Sequence, residues 1–117
     1  MVKYVPDRGD LVWLDFNPQV GHEQAGKRPA LTVSPKAYNE KTGLGLFCPI
    51  TSHQKNYPFE VGIIGSKISG VILSDQVKSL DWRARGAELW CRLPHAILGE
   101  VFSKLHLLLP SSDPLHD

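Results

Sequence analysis

The sequence lacks most of the features that mark catalytic and binding classes. It has two cysteines, one methionine and a formal net charge of only +1. Cys48 and Cys91 lie far apart, each inside an apolar stretch, and are expected as buried thiols rather than a disulfide or a zinc site. The five histidines, His22, His53, His95, His106 and His116, form no His-Glu-x-x-His arrangement, and no Cys-x-x-Cys occurs. Metal-assisted hydrolysis therefore has no recognisable ligand set, and neither a metal nor another cofactor is expected. A Gly-x-x-x-x-Gly-Lys phosphate loop and a Gly-flanked nucleophile elbow are also missing. The longest apolar run falls far short of the roughly 20 residues that span a bilayer. Pro6 and Asp7 come where a signal peptide would have its apolar centre, so no membrane association and a cytoplasmic location are expected. Near-neutral charge argues against a strongly basic nucleic-acid module.

What is present is an ordinary globular composition, 42% hydrophobic and 21% charged over 117 residues, which suits one domain. Residues 1–110 are expected to form it, with 111–117 as a disordered tail. Asp10 to Phe16 alternates as a strand, with Val12, Leu14 and Phe16 on one face and Leu11, Trp13 and Asp15 on the other. Arg28 to Ser34 resumes the pattern, Lys36 to Lys41 allows one helical turn, and Leu44 to Ile50 is a third strand with Leu44, Leu46, Cys48 and Ile50 on one side. Phe59 to Ile64 alternates again. Gly70 to Ser79 reads as one longer β-stretch with Ser74, Gln76 and Lys78 on a polar face, and Arg83 to Trp90 as another strand. Pro94 opens a helix in which Ile97, Leu98, Val101, Phe102, Leu105, Leu108 and Leu109 recur at helical spacing until Pro110. Short strands, Gly- and Pro-rich connections and one closing helix predict a mainly β fold with a C-terminal helix, a small SH3-like barrel. Such a fold carries no chemistry by itself.

The chemistry has to come from two polar loops. Between Gln24 and Phe59 the basic residues Lys27, Arg28, Lys36, Lys41 and Lys55 face one acid, Glu40, which suits an anion-binding face or a merely solvated one. The segment His22 to Ala30 sets Glu23 near Arg28, and Thr51 and Ser52 open the second loop. A carboxylate, a guanidinium and a hydroxyl can deprotonate a ribose 2′-hydroxyl, neutralise a phosphodiester as charge builds on it, and hydrogen-bond its oxygens without a metal. On spacing alone, an ion pair between Glu23 and Arg28 and a turn role for Thr51 explain the same residues more simply.

Five ordered blocks carry a further signal. Gly9 to Phe16, Gly21 to Ala30, Pro49-Ile50-Thr51-Ser52, Tyr57 to Val61 and Asp75 to Arg83 resemble the PemK/MazF toxin family, in that order and with fitting gaps. The resemblance spans about Tyr4 to Ala87; the final helix matches in character only. It implies a sequence-specific endoribonuclease of bacterial toxin-antitoxin systems, an mRNA interferase, with an SH3-like barrel that forms a homodimer. It also implies single-stranded RNA as substrate and, as partner, a cognate MazE-like antitoxin with an acidic C-terminal tail. The family's catalytic pair falls on Arg28 and Thr51, and the acid of the same loop on Glu23. Cleavage without metal, by 2′-hydroxyl attack to a 2′,3′-cyclic phosphate and a 5′-hydroxyl, is implied as well.

Roles follow from charge. Arginine is effectively always protonated, which makes Arg28 a clamp on the transition state and a candidate proton source to the leaving oxygen, and leaves Glu23 as the candidate base. His22 and His53 offer a rival acid–base pair. Sequence choice is expected to reside in the loops Asn17 to Lys27 and Ser52 to Pro58, with His22, Gln24, Lys27, Ser52, His53 and Lys55 as candidate RNA contacts. Gln76, Lys78 and Arg85 are expected to extend that surface, while Arg83 either joins it or braces Asp81. Trp13 is expected in the core, the dimer interface or the antitoxin groove. The alternative class is a noncatalytic SH3-like binding module, or a degenerate toxin that only binds its antitoxin.

Overall fold

A computed structural model describes residues 3–16, 26–63 and 69–110. The predicted tail 111–117 lies outside them, as do His22, Glu23 and Gln24 of the first polar loop.

The described residues form seven strands and two helices. In chain order these are β1 (Asp10–Leu14), β2 (Arg28–Thr32), α1 (Lys36–Thr42), β3 (Leu44–Thr51), β4 (Glu60–Gly62), β5 (Val71–Leu73), β6 (Lys78–Asp81), β7 (Glu88–Arg92) and α2 (His95–His106). Every pairing is antiparallel, in the order β4-β5-β3-β2-β1-β7, with β6 pairing β3. The mainly β class with a closing C-terminal helix is therefore as expected.

The alternation of β1 explains how the sheet is held. Leu11 joins Leu31, Cys48, Ile50, Val61 and Ile72 in one core, which Val101 of α2 closes. Val12, Leu14 and Phe16 join Ala30, Phe47, Leu80 and Trp82 on the opposite side. A strand buried on both faces reads as nearly continuous apolar sequence, as β1 does. The Trp82 indole donates to the Asn39 carbonyl at 3.0 Å, and the buried Asn39 amide donates to Pro6 and Ser34, so α1 is tied to the second core through its one buried side chain.

Three expectations need correction. The single stretch Gly70 to Ser79 is two strands. β3 pairs β5 at its end, through Ile50↔Ile72 and Thr51↔Val71, and β6 at its start, through Leu44↔Asp81 to Phe47↔Lys78, so the chain must turn between them. Buried Ser74 holds that turn, its N–H and hydroxyl both donating to the Phe59 carbonyl. Arg83 to Ala87 is likewise a turn, because the Asp81 carboxylate accepts from the N–H groups of Arg83 and Ala84 and Gly86 takes φ +63°, and β7 begins only at Glu88. The helix ends at His106: Leu107, Leu108 and Leu109 bond back three residues in tight turns and remain exposed.

Candidate active site

Register brings the two polar loops together. In the β2–β3 pairing Ala30 faces Pro49, and Arg28 at the start of β2 and Thr51 at the end of β3 line one cavity beyond that pair. The β1–β2 pairing adds Leu14 opposite Arg28 and Trp13 opposite Pro29. One end of β1, β2 and β3 thus opens into a cavity of about 670 Å³ lined by Arg28, Thr51, Ser52, His53, Gln76 and Lys78. Its apolar wall includes Trp13, Phe16, Leu73 and Trp90. A second cavity, also about 670 Å³, shares Thr51, His53, Leu73 and Gln76 and is completed by loop 52–58 through Lys55, Asn56 and Tyr57.

Thr51 is held in place from both sides. Its hydroxyl accepts the His53 N–H at 3.1 Å, a local turn that starts the second loop. Gly70 packs against its carbonyl so closely that a Cβ there would lie 2.9 Å from Thr51 O, which is why a glycine precedes β5. Glu60 then shapes the loop, its carboxylate accepting the N–H groups of Lys55 and Tyr57. Asn56 sits at φ +60°, a left-handed conformation that asparagine tolerates better than most side chains.

The remaining expected site residues divide sharply. Lys78 lies 5.5 Å from the Phe16 ring centroid and still lines the first cavity, so its ammonium is placed on the rim. Arg28 is exposed, and among the described residues no hydrogen bond or ion pair engages its guanidinium. Neither cavity includes Lys27 or Arg85. The Lys27 ammonium is engaged by Glu88 at 2.9 Å and the Gly86 carbonyl at 2.7 Å, while the Arg85 guanidinium donates to the carbonyls of Asp15 and Phe16 at 2.8 and 2.6 Å. Both cations brace turns instead. Arg83 stacks over the Trp82 ring at 4.8 Å, and Asp81 is braced by backbone N–H groups.

Trp13 belongs to neither buried core cluster; it is half-buried, with its ring centroid 4.5 Å from that of Trp90. Sequence reading missed Trp90 because its place depends on a bulge. Leu11 pairs with Cys91 but Val12 with Leu89, so Trp90 is the residue skipped in the ladder. Tyr57, Asn56 and Leu73 were missed too, although Tyr57 lies in the second polar loop, which was the available signal.

Cys48 is buried and its thiol is pushed up to about 12, first by desolvation and then by the Asp75 charge; Cys91 is half-buried and raised by desolvation. Neither thiol is a nucleophile near neutral pH. Among the described residues no group of three or more His, Cys, Asp or Glu side chains is placed to hold a metal, and no helix is long and apolar enough to cross a membrane.

Comparison with known proteins adds a second line. Residues 7–109 match the family described as PemK-like, MazF-like toxin of type II toxin-antitoxin system. The chain is 59% identical over 85 residues to the endoribonuclease toxin MazF of Escherichia coli K12, covering 73% of this chain and 77% of that protein. With the endoribonuclease PemK of Escherichia coli the identity is 35% over 108 residues, 88% of this chain and 81% of that protein. A crystal structure of MazE-MazF from Deinococcus radiodurans is similar at a TM-score of 0.83 and 50% identity, covering 94% of this chain and 100% of that chain.

Proposed function

Because this chain belongs to the family of PemK-like, MazF-like toxins of type II toxin-antitoxin systems, we propose that it is an endoribonuclease toxin that cleaves single-stranded mRNA at specific sequences. The observation that carries this reading is the meeting of Arg28 and Thr51 in one open cavity with His53, Gln76 and Lys78. An open groove with aromatic walls and scattered cations suits a flexible polyanion whose bases splay and stack.

The reaction follows from those groups. Glu23 takes the proton from a ribose 2′-hydroxyl, and the 2′-oxygen attacks the adjacent phosphorus. The bond from phosphorus to the 5′-oxygen breaks as that oxygen takes a proton from a solvent water, whose hydroxide is neutralised by the proton Glu23 gained, which leaves a 2′,3′-cyclic phosphate and a 5′-hydroxyl. Arg28 stays charged throughout and stabilises the phosphorane oxygens; the Thr51 hydroxyl, already oriented by the His53 N–H, donates to one of them. Glu23 and solvent thus account for the two proton transfers, and Arg28 and Thr51 for the developing charge, without a metal. The ring of His53 reaches the same cavity, which supports histidine as a second candidate base. The activity implies a cytoplasmic site of action, a homodimer, and neutralisation by a cognate MazE-like antitoxin whose acidic C-terminal tail complements this cationic groove.

A fluorogenic oligonucleotide assay in EDTA tests the reading. The parent chain is expected to cleave and to leave 5′-hydroxyl ends, whereas Arg28→Ala is expected to be silent. Equal signals from both would leave a noncatalytic binding module. Glu23→Gln with full activity would move the base to His53, and His53→Gln would then remove the acidic limb of the pH–rate profile.

A further inference from the structure

The hydrogen bond between Tyr57 and Asp75 has no part in the chemistry above, yet it joins the two segments that form the second cavity. The Tyr57 hydroxyl donates to Asp75 Oδ2 across 18 residues of sequence. Tyr57 is the penultimate residue of loop 52–58, directly after Asn56 with its left-handed backbone, and Asp75 lies in the β5–β6 turn next to Gln76, which lines both cavities. Other bonds hold the backbone of the loop and its exit: the Glu60 carboxylate accepts the N–H groups of Lys55 and Tyr57, Ser74 donates to the Phe59 carbonyl, and the Lys104 ammonium of α2 donates to the Pro58 carbonyl. Among the described residues, Tyr57 to Asp75 is the bond that joins a side chain of the loop to a side chain of the β5–β6 turn.

The form of the contact suggests that position matters more than stability. Tyr57 is 43% exposed, so its ring adds little to either core. Asp75 keeps its second oxygen, Oδ1, buried with no hydrogen-bond partner among the described residues. Leaving that oxygen buried and unpaired costs stability, so the contact is not one that the fold gains from on balance. The bond to Asp75 also raises the Tyr57 hydroxyl above its ordinary range, so the donor is present at any pH at which the protein works.

We infer that Tyr57 and Asp75 are positioning residues for RNA binding: their hydrogen bond fixes loop 52–58 against the β5–β6 turn and so sets the opening between Lys55 and Gln76 through which the RNA strand is held. The inference rests on the endoribonuclease reading. Without the bond the loop samples wider positions relative to the β5–β6 turn, and each productive encounter must first select the closed one. Binding weakens, while a strand already seated meets an unchanged Arg28 and Thr51.

The test is steady-state cleavage of a fluorogenic oligonucleotide by the full chain, with the melting temperature measured in parallel. Tyr57→Phe is expected to raise KM about three- to tenfold, the equivalent of one hydrogen bond, with kcat within about twofold and no change in melting temperature. Asp75→Ala should do the same, the double variant should be no worse than either single one, and Asp75→Asn should restore binding because its amide oxygen still accepts. Additive effects in the double variant, or parental KM in Tyr57→Phe, would overturn the positioning role while leaving the nuclease intact. A parent chain that does not cleave would overturn the endoribonuclease reading instead, and this inference with it.

Discussion

Loop 52–58 and the turn 81–86 are made of similar parts and do opposite things. Each is polar, each carries cations, and each is shaped by a carboxylate that accepts backbone N–H groups, Glu60 in one and Asp81 in the other. In the turn the cations are engaged: Arg85 by two carbonyls, Arg83 by the Trp82 ring, and the neighbouring Lys27 by Glu88. In the loop, His53 and Lys55 line cavities that also hold Thr51 and Gln76. Residue type does not separate a working surface from a brace. What separates them is whether the fold already supplies each charge with a partner.

That contrast can be broken first at Arg28. Arg28→Ala should reduce kcat by about a thousandfold or more, as loss of a preorganised donor at a developing oxyanion does, with melting unchanged because the side chain is exposed. Cleavage and calorimetry on the same sample decide it. Arg85→Ala should show the reverse. Loss of two charge-assisted bonds to carbonyls should cost about 2 kcal/mol and several degrees of melting temperature, with kcat of the folded fraction retained.

Smaller effects sharpen the same line. Lys55→Ala and Lys78→Ala should each raise KM several-fold and flatten its dependence on salt, measured from 50 to about 200 mM, without changing stability. Below the β5–β6 turn, the Cys48 thiol is pushed up to about 12 from the ordinary value of 9.0 by burial. The folded state therefore holds its proton more tightly than the unfolded state. The stability this contributes is complete below about 9 and is lost as pH climbs towards about 12, a slope that urea titrations should find reduced in Cys48→Ser. Lys27→Ala should change least. Its ion pair with Glu88 is largely exposed, so a loss of roughly 0.5 kcal/mol or less is expected, with KM unaffected.

The same distinction marks how much the sequence disclosed. Strand β1 and helix α2 were legible because each carries its own periodicity, and α1 because Pro35 and Gly43 punctuate it. Arg28 and Thr51 stood out by residue type and loop position, and both line the first cavity. The break between β5 and β6 was read through, because Ser74, Gln76 and Lys78 suggest one polar face although Ser74-Asp75-Gln76 interrupts the alternation; it arises because β3 offers two different partners along its length. Trp90 was not legible, since its aim depends on a bulge formed only when β7 pairs β1. Lys27 and Arg85 looked like RNA contacts because their acceptors are remote: 61 residues separate Lys27 from Glu88, and 70 separate Arg85 from Asp15.

By itself, then, the sequence determined the strand and helix periodicities, the absence of a recognisable metal or phosphate-loop motif, and the ordered blocks that mark the family. These are local properties, carried by alternation, turn residues and short motifs. Only the tertiary structure decided which cations face a cavity and which are held by carbonyls and carboxylates, that Trp13 meets Trp90, and that Tyr57 reaches Asp75. The physical reason is that a side chain's free valences depend on neighbours brought near by strand register and turns, and those neighbours lie tens of residues away in the chain.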